Sequence, residues 1–175
     1  TNKKNILGRL KETFNEEIAN RMYDLYKDKI EEDAFVAFNE IISVYWFILP
    51  HHSWSNLAVN NGVKVYRYLF TKENGYHATY HSGEMVYCYG NLDRQNKPFA
   101  YNESDYRLQD IMLNYWANFA KIGNPNGENL PTWNEYLFNG DKVMELGDNV
   151  GPIDDEYLPL YDIINDYIDS TIEDI

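Results

Sequence analysis

Apolar residues recur at helical spacing in three parts of the chain, with charged and polar residues between them. Positions three and four apart lie on one face of a helix, so each set predicts an amphipathic helix. The first predicts one surface helix; the second predicts a helix over residues 104–122, ended by Gly123; the third predicts a strongly acidic helix. The sets are Phe14, Ile18, Met22, Leu25, Tyr26 and Ile30; Leu108, Ile111, Met112, Tyr115, Trp116 and Phe119; and Leu160, Ile163, Ile164, Tyr167, Ile168 and Ile172.

Between the first two sets, the local signals predict another apolar helical segment and its limits. Asp33 is placed to accept hydrogen bonds from the free amides of a helix start. Pro50 closes the apolar run "VYWFILP", and "NNG", ending at Gly62, provides residues that tolerate the left-handed conformation of a helix end. We therefore expect a helical segment after Asp33, a short segment after Pro50, and a break at Gly62.

Two segments are predicted to be strands. Residues 63–70, "VKVYRYLF", carry β-branched and aromatic residues on both parities, which is typical of an interior strand covered on both faces. Residues 142–146, "KVMEL", predict a short strand, and "GNPNG" predicts a turn. Two strands do not make a stable sheet, and an interior strand needs neighbours on both edges. With no internal repeat and no linker, the chain is expected to be one domain or part of one.

Charge and composition narrow the classes of partner. The chain has 175 residues, of which 28 are acidic and 15 basic, for a net charge of −13. Nucleic acid and anionic membrane surfaces would repel it. The apolar run at residues 44–50 is far shorter than the roughly 20 residues that cross a bilayer. The start "TNKKNILGRL" has neither an initiator methionine nor a signal-peptide pattern. We expect a soluble piece of a longer protein; its location stays unassigned, with the cytoplasm slightly favoured.

The candidate chemistry is concentrated in "YHATYHSGEMVYCYGNL", residues 76–92. It holds two histidines, His77 and His81, and from the residues alone each reads as a hydrogen-bonded loop histidine. Ser82 is expected to be a loop hydroxyl, because it lacks the strained strand-to-helix turn that exposes a nucleophile. Cys88, the only cysteine, has no basic neighbour to favour its thiolate and is expected to be a small buried residue.

The remaining histidines, His51 and His52, are adjacent in the sequence. Adjacent residues do not share a helix face, and no carboxylate stands at metal-ligand spacing from them. We expect no metal site there.

Three stretches resemble the type B carboxylesterases and cholinesterases of the α/β-hydrolase superfamily. "VYRYLF" followed by "YHSGEMVYCYGNL" is similar to the family's strand and catalytic-histidine loop. "LNYWANFAKIGNPNG" followed by "LPTWNEY" resembles its next helix and turn, and is the more specific match. "AFNEIISVYWFILPHHSWSNLAVNNGVKVYRY" is similar, with weaker identity, to the helical segment before the strand.

The resemblance implies an α/β fold: the C-terminal part of an α/β-hydrolase, mostly helical with a few sheet strands, over residues 1–175. It places His81 at the catalytic histidine and leaves His77 without a role and Glu84 as a loop-supporting residue. The nucleophilic serine, the acid and the oxyanion-hole glycines would lie upstream of this chain, which contains no G-x-S-x-G. The implied substrate is a small-molecule ester, with no metal or organic cofactor, and the chain alone is expected to be inactive.

Two other classes of function stay open at this point. A non-catalytic binding or adhesion module can share this fold, although a histidine at position 81 argues mildly against it. An independent acidic helical interaction domain would be a stable monomer. A piece of an esterase would instead aggregate, self-associate through an exposed strand edge, or need the missing N-terminal part of the same protein.

Overall fold

The computed structural model describes residues 1–73, 79–94 and 100–173. They form two compact units, one of Thr1–Leu57 with Asp155–Ile175 and one of Ala58–Asp154. The assignment of the whole chain to one segment of a larger esterase domain stays a prediction. The helices are α1 (Ile6–Thr13), α2 (Glu16–Leu25), α3 (Lys27–Ser43), α4 (Leu49–Asn60), α5 (Met85–Cys88), α6 (Glu103–Ile122) and α7 (Leu158–Glu173); the strands are β1 (Tyr68–Phe70), β2 (Lys142–Leu146) and β3 (Val150–Asp154).

The first unit is a helical cluster built from α1 to α4 and α7. The single helix predicted from Phe14 to Ile30 is in fact two helices, because the chain leaves helical geometry at Tyr26. Asn15 begins α2, its side chain accepting a hydrogen bond from the Ile18 amide at 3.0 Å. The apolar stripe nevertheless faces inward on both helices, and Leu25 is its one exposed member. The hydrophobic spacing identified the buried face and missed the break.

Asp33 marks a kink inside α3, as its sequence position predicted. Its backbone is non-helical, with φ −147° and ψ 101°. Its carboxylate Oδ1 accepts hydrogen bonds from the amides of Phe35 at 2.8 Å and Val36 at 3.1 Å. These amides are among those a helix start leaves without an intrahelical partner, so Asp33 caps the second half of α3.

The chain remains helical through Pro50, the residue that was predicted to close the apolar run. A π-helical segment, Val44–Ile48, joins α3 to α4, and the Leu49 amide donates to the Val44 carbonyl five residues earlier. Proline has no amide hydrogen and its ring clashes with the carbonyl four residues before it. A locally wider turn accommodates both effects, and α4 then runs on to Asn60. Gly62, at φ +76°, follows the helix end as expected.

Several large apolar side chains on the continuous helix from Lys27 to Asn60 are exposed. The helix has 34 residues and is long and apolar enough to cross a membrane, a test that helices of soluble proteins also pass. The absence of a membrane partner therefore stays a prediction. The exposed side chains are Phe35, Val36, Trp46, Phe47, Trp54 and Leu57.

The second unit contains a three-stranded sheet in the order β1-β2-β3. β1 pairs parallel with β2, aligning Tyr68 with Met144, and β2 pairs antiparallel with β3. The strand predicted over residues 63–70 is shorter than expected. Its start is held by single bonds instead of a ladder, such as the Tyr136 amide to the Val65 carbonyl at 2.7 Å. Within the described residues no strand pairs with the outer edge of β1, so the interior position predicted for it is not observed here.

Helix α6 packs behind this sheet and agrees closely with its prediction. A reciprocal capping box begins it: Asn102 accepts from the Ser104 amide, and Asp105 accepts from the Asn102 amide at 2.8 Å. Gly123, at φ +68°, ends it. Its apolar stripe forms the core of the unit with Trp133 and the inner residues of β2. The fold class is α/β, mostly helical, as predicted.

Candidate active site

His81 lies on a tight turn that leads directly into α5. The Gly83 amide donates to the Tyr80 carbonyl at 2.9 Å, and the Met85 amide donates to the Ser82 carbonyl at 3.2 Å. Ser82 adopts φ +66°, a left-handed conformation that is uncommon for a residue with a side chain. Backbone strain of this kind persists where the surroundings fix the chain, and it concentrates at functional turns.

The His81 side chain is exposed, whereas the turn beneath it is partly buried. A histidine that exchanges protons with a reacting group must reach the surface on which that group is bound. The position of His81 is compatible with this role. His77, the second histidine of the stretch, lies outside the described residues.

Glu84 follows the same turn and is half-buried. Burial raises the pKa of Tyr68 to about 12, and the nearby Glu84 carboxylate adds to this effect. Burial and then Glu84 also raise the pKa of the Cys88 thiol. The Glu84 carboxylate therefore lies near Tyr68 and Cys88, and the loop-supporting role expected for it from the resemblance stays a prediction.

Cys88 is a buried thiol, as its sequence context predicted. Its Sγ donates to the Met85 carbonyl at 3.5 Å, within α5. Because its pKa is raised, the thiol is protonated at neutral pH and is a poor nucleophile. Ser82 shows no strand-to-helix elbow either, since a turn precedes it. The turn thus offers one candidate for chemistry, His81.

The adjacent histidines of α4 lie on different faces of the helix, as expected. His51 is exposed, and His52 is buried in the first unit. His52 Nδ1 lies 4.0 Å from the buried Asp155 carboxylate, and its Nε2 lies 3.0 Å from Asn56 Nδ2. The Tyr161 hydroxyl lies 3.1 Å from both carboxylate oxygens of Asp155. No cluster of three metal-ligating side chains occurs in the part of the chain that the structure describes.

A buried polar cluster in the second unit was not anticipated from the sequence. It contains Lys72, Asp105 and Tyr87, which come from three separate segments. The capping box of Asn102 and Asp105 fixes the start of α6, which the sequence analysis placed from apolar spacing alone. No local pattern links Asp105 to Lys72, because the contact depends on how β1 packs against α6.

The His81 turn lines neither of two cavities bordered by described residues of the second unit. One, of about 440 Å³, is bordered by β2 and includes Arg67 and Tyr136 in its wall. The other, of about 210 Å³, is mostly aromatic and is lined by Tyr66, Tyr68, Tyr115, Trp116, Phe119, Pro125 and Trp133. A substrate placed against His81 would therefore not occupy either of them.

Comparison with known proteins matches the chain to the carboxylesterase family. The model of the carboxylesterase family matches residues 1–159. The pyrethroid hydrolase Ces2e of Rattus norvegicus is 32% identical over 106 residues, which are 56% of this chain and 18% of that protein. Carboxylesterase 3B of Mus musculus is 27% identical over 146 residues, which are 75% of this chain and 25% of that protein.

Solved esterases share the fold. The carboxylesterase EST55 of Geobacillus stearothermophilus superposes with a TM-score of 0.72 at 22% identity, covering 89% of this chain and 33% of that one. A PNB esterase gives a TM-score of 0.64 at 18% identity, covering 94% of this chain and 33% of that one. The chain therefore spans about a third of these α/β-hydrolase structures and a quarter or less of the two relatives above.

Proposed function

Because the chain belongs to the carboxylesterase family, we propose that it supplies His81 as the histidine of the catalytic triad of a serine carboxylic-ester hydrolase. The observation that carries the proposal is the position of His81: an exposed imidazole on a hydrogen-bonded turn that leads into the partly buried helix α5. A general base needs an accessible ring on a backbone that does not move during proton transfer.

The reaction would proceed by acyl transfer in two steps. His81 takes the proton of the attacking serine, and the alkoxide forms a bond to the ester carbonyl carbon. The protonated His81 then gives that proton to the leaving alcohol as the acyl-enzyme forms. In the second step His81 takes a proton from the water that attacks the acyl-enzyme, and it returns this proton to the serine oxygen as the bond between serine and acyl group breaks and the acid is released. Each proton that His81 accepts is returned within the same step, so no cofactor is required.

The serine, the acid and the oxyanion-hole donors of this enzyme would lie in a segment outside the 175 residues. No G-x-S-x-G occurs in the sequence, and the solved esterases are about three times as long as the part that this chain covers. Without a nucleophile, His81 has nothing to deprotonate. We therefore expect the chain alone to show no ester hydrolysis above the background rate.

Exposed surface within each unit supports the need for such a segment. In the first unit, Trp46 and Trp54 are 61% and 71% exposed, an unusual exposure for large aromatic residues on one helix. In the second unit, the outer edge of β1 presents backbone groups to which another strand can pair. The isolated chain should consequently self-associate, which size-exclusion chromatography with light scattering would detect.

The decisive experiment uses the complete protein encoded by the open reading frame that contains this chain. Hydrolysis of p-nitrophenyl acetate is measured for the parent, for His81→Gln and for the control His51→Gln, which changes an exposed histidine of α4. We expect His81→Gln to lower kcat by at least about 10³-fold, in line with the loss of one triad member. His51→Gln should stay within twofold of the parent.

A fluorophosphonate that labels activated serines provides a second readout. The parent should gain one covalent adduct, detected by intact mass, and His81→Gln should gain it far more slowly. Full turnover by His81→Gln would refute the proposal. Absence of both turnover and labelling in the parent would favour the non-catalytic binding module.

A further inference from the structure

Lys72 is a buried lysine that follows β1, with its side chain 3% exposed. Its Nζ donates to Asp148 Oδ1 at 2.5 Å and to Ser104 Oγ at 2.9 Å, and it lies 3.6 Å from Asp105 Oδ1. A buried ammonium group is retained only where anionic and hydrogen-bonding partners replace its water. Asp148 is largely exposed and Asp105 is not, so Asp105 is the partner inside the unit.

Asp105 connects this cation to two other segments. Its Oδ2 accepts from the Asn102 amide at 2.8 Å, which fixes the start of α6. Its Oδ1 accepts from the hydroxyl of Tyr87 at 2.7 Å, a bond that is itself buried. Burial and the adjacent Asp105 carboxylate raise the pKa of Tyr87, so its phenol is a neutral donor at neutral pH.

Tyr87 lies in α5, which has only four residues. A helix of one turn has no stability of its own, so its orientation depends on tertiary contacts. Besides the Asp105 bond, Tyr87 packs against the ring of Phe70, with centroids 5.4 Å apart. The Leu92 amide after α5 donates to Gln109 Oε1 at 3.2 Å. Of these contacts, only the Tyr87 bond joins α5 to the buried charges.

The His81 turn is continuous with α5. The Ser82 carbonyl accepts from the Met85 amide, and the Glu84 carbonyl accepts from the amides of Tyr87 and Cys88 at 3.0 Å. A shift or rotation of α5 must therefore move the His81 backbone with it. For a group that transfers protons, a displacement of about 1 Å is enough to lower a rate by about 100-fold.

We propose that Lys72, Asp105 and Tyr87 form a positioning chain for His81, in which the Tyr87 hydroxyl is the link that holds the turn. This inference rests on the proposed function. None of the three residues has to contact the substrate. Lys72 stabilises the Asp105 carboxylate, Asp105 orients the Tyr87 hydroxyl, and Tyr87 fixes α5 and with it the turn.

The test uses the complete esterase and the variant Tyr87→Phe, which keeps the ring and its packing and removes only the hydroxyl. Active sites are counted by fluorophosphonate labelling carried to completion, so that neither misfolded protein nor a slower labelling reaction enters the rate. We expect kcat per active site to fall about tenfold, with KM changed by less than twofold. A purely structural role would reduce the number of active sites and leave kcat per site unchanged.

Two tyrosine variants provide matched controls. Tyr106→Phe removes another tyrosine-to-carboxylate bond, 2.7 Å long, to Asp93 on the surface. Tyr115→Phe removes the hydrogen bond, 2.6 Å long, from a buried tyrosine to the Pro131 carbonyl, which does not involve α5. Both should keep kcat within twofold of the parent.

A second variant, Lys72→Met, covers the case in which Tyr87→Phe gives too little folded protein. It removes the cation that stabilises the Asp105 carboxylate, the first link of the positioning chain, and should also lower kcat per active site, with KM unchanged.

The outcomes separate this inference from the function on which it rests. If His81→Gln is inactive and Tyr87→Phe keeps full kcat per site, the positioning chain is refuted and the triad assignment stands. An equal loss in Tyr115→Phe would refute it as well, because the effect would not be specific to α5. If His81→Gln is fully active, both proposals fail.

Discussion

Replacing Gly90 with alanine perturbs the segment that anchors the His81 turn. Gly90 follows α5 at φ +65°, in the left-handed region. A Cβ at this position would lie 3.2 Å from Leu113 Cδ1 on α6, closer than an ordinary contact. The substitution therefore has two separable costs, one from the backbone conformation and one from packing.

The backbone term is about 1 kcal/mol, the usual cost of placing a Cβ in the left-handed conformation. The packing term is smaller, because Leu113 is 37% exposed and its side chain has room to move by a few tenths of an ångström. We assign it about 0.5–1 kcal/mol, at or below the low end of the range for overpacking. Gly90→Ala should therefore lower the free energy of unfolding by about 2 kcal/mol.

Two other glycines isolate these terms. Gly62 and Gly123 have φ of +76° and +68°, and a Cβ at either would meet nothing within 4 Å. Gly62→Ala and Gly123→Ala should each cost about 1 kcal/mol, from the backbone alone. The free energies are measured by urea unfolding of the complete protein, monitored by tryptophan fluorescence.

The double variant Gly90→Ala with Leu113→Ala should show the packing term as a favourable coupling energy relative to the two single variants. If Gly90→Ala costs no more than Gly62→Ala, the contact with Leu113 does not matter. If none of the three glycine variants lowers stability, the argument from backbone conformation is refuted.

Two further predictions concern helix capping and pH. Asp33→Ala should lower the free energy of unfolding by about 1 kcal/mol, because the amides of Phe35 and Val36 lose their acceptor; an equal loss in the exposed neighbour Glu32→Ala would contradict this. The pKa of Asp148 is lowered below its usual 3.8, mainly by the hydrogen bond from the Lys72 ammonium. The contribution of the ionised Asp148 to stability is complete above pH 3.8 and is lost as the pH falls through the lowered pKa. Asp148→Asn should therefore unfold less steeply between about pH 4 and pH 2 in an acid titration monitored by circular dichroism; an unchanged slope would contradict the pairing.

Features of the sequence that act over a few residues predicted structure well. The end of α6 was predicted from Gly123, whereas its start was predicted from apolar spacing and is fixed in the structure by Asn102 and Asp105, which accept from each other's amides. Asp33 caps its helix by the same local means. These signals are readable because the donor and the acceptor are within three residues of each other.

Features that depend on distant partners could not be read in this way. The contact between Lys72 and Asp105 and that between His52 and Asp155 join residues far apart in the chain, with no pattern relating them. The strand predicted over residues 63–70 is short because its length depends on which neighbours pair with it. The candidate site was identified from resemblance, since the chemistry of His81 alone does not distinguish a catalytic base from a loop histidine.

The π-helical segment Val44–Ile48 has a consequence for the register of α4. A π turn amounts to one extra residue in an otherwise regular helix, and each residue rotates an α-helix by about 100°. The residues after the segment are therefore rotated relative to the positions they would have in an uninterrupted α-helix of the same sequence. In this orientation His52 faces the core and His51 faces solvent. Deleting one residue from the segment would therefore restore an uninterrupted helix and leave both histidines in their present environments. In this helix the number of residues in the π-helical segment determines which side chains are buried as much as their hydrophobicity does.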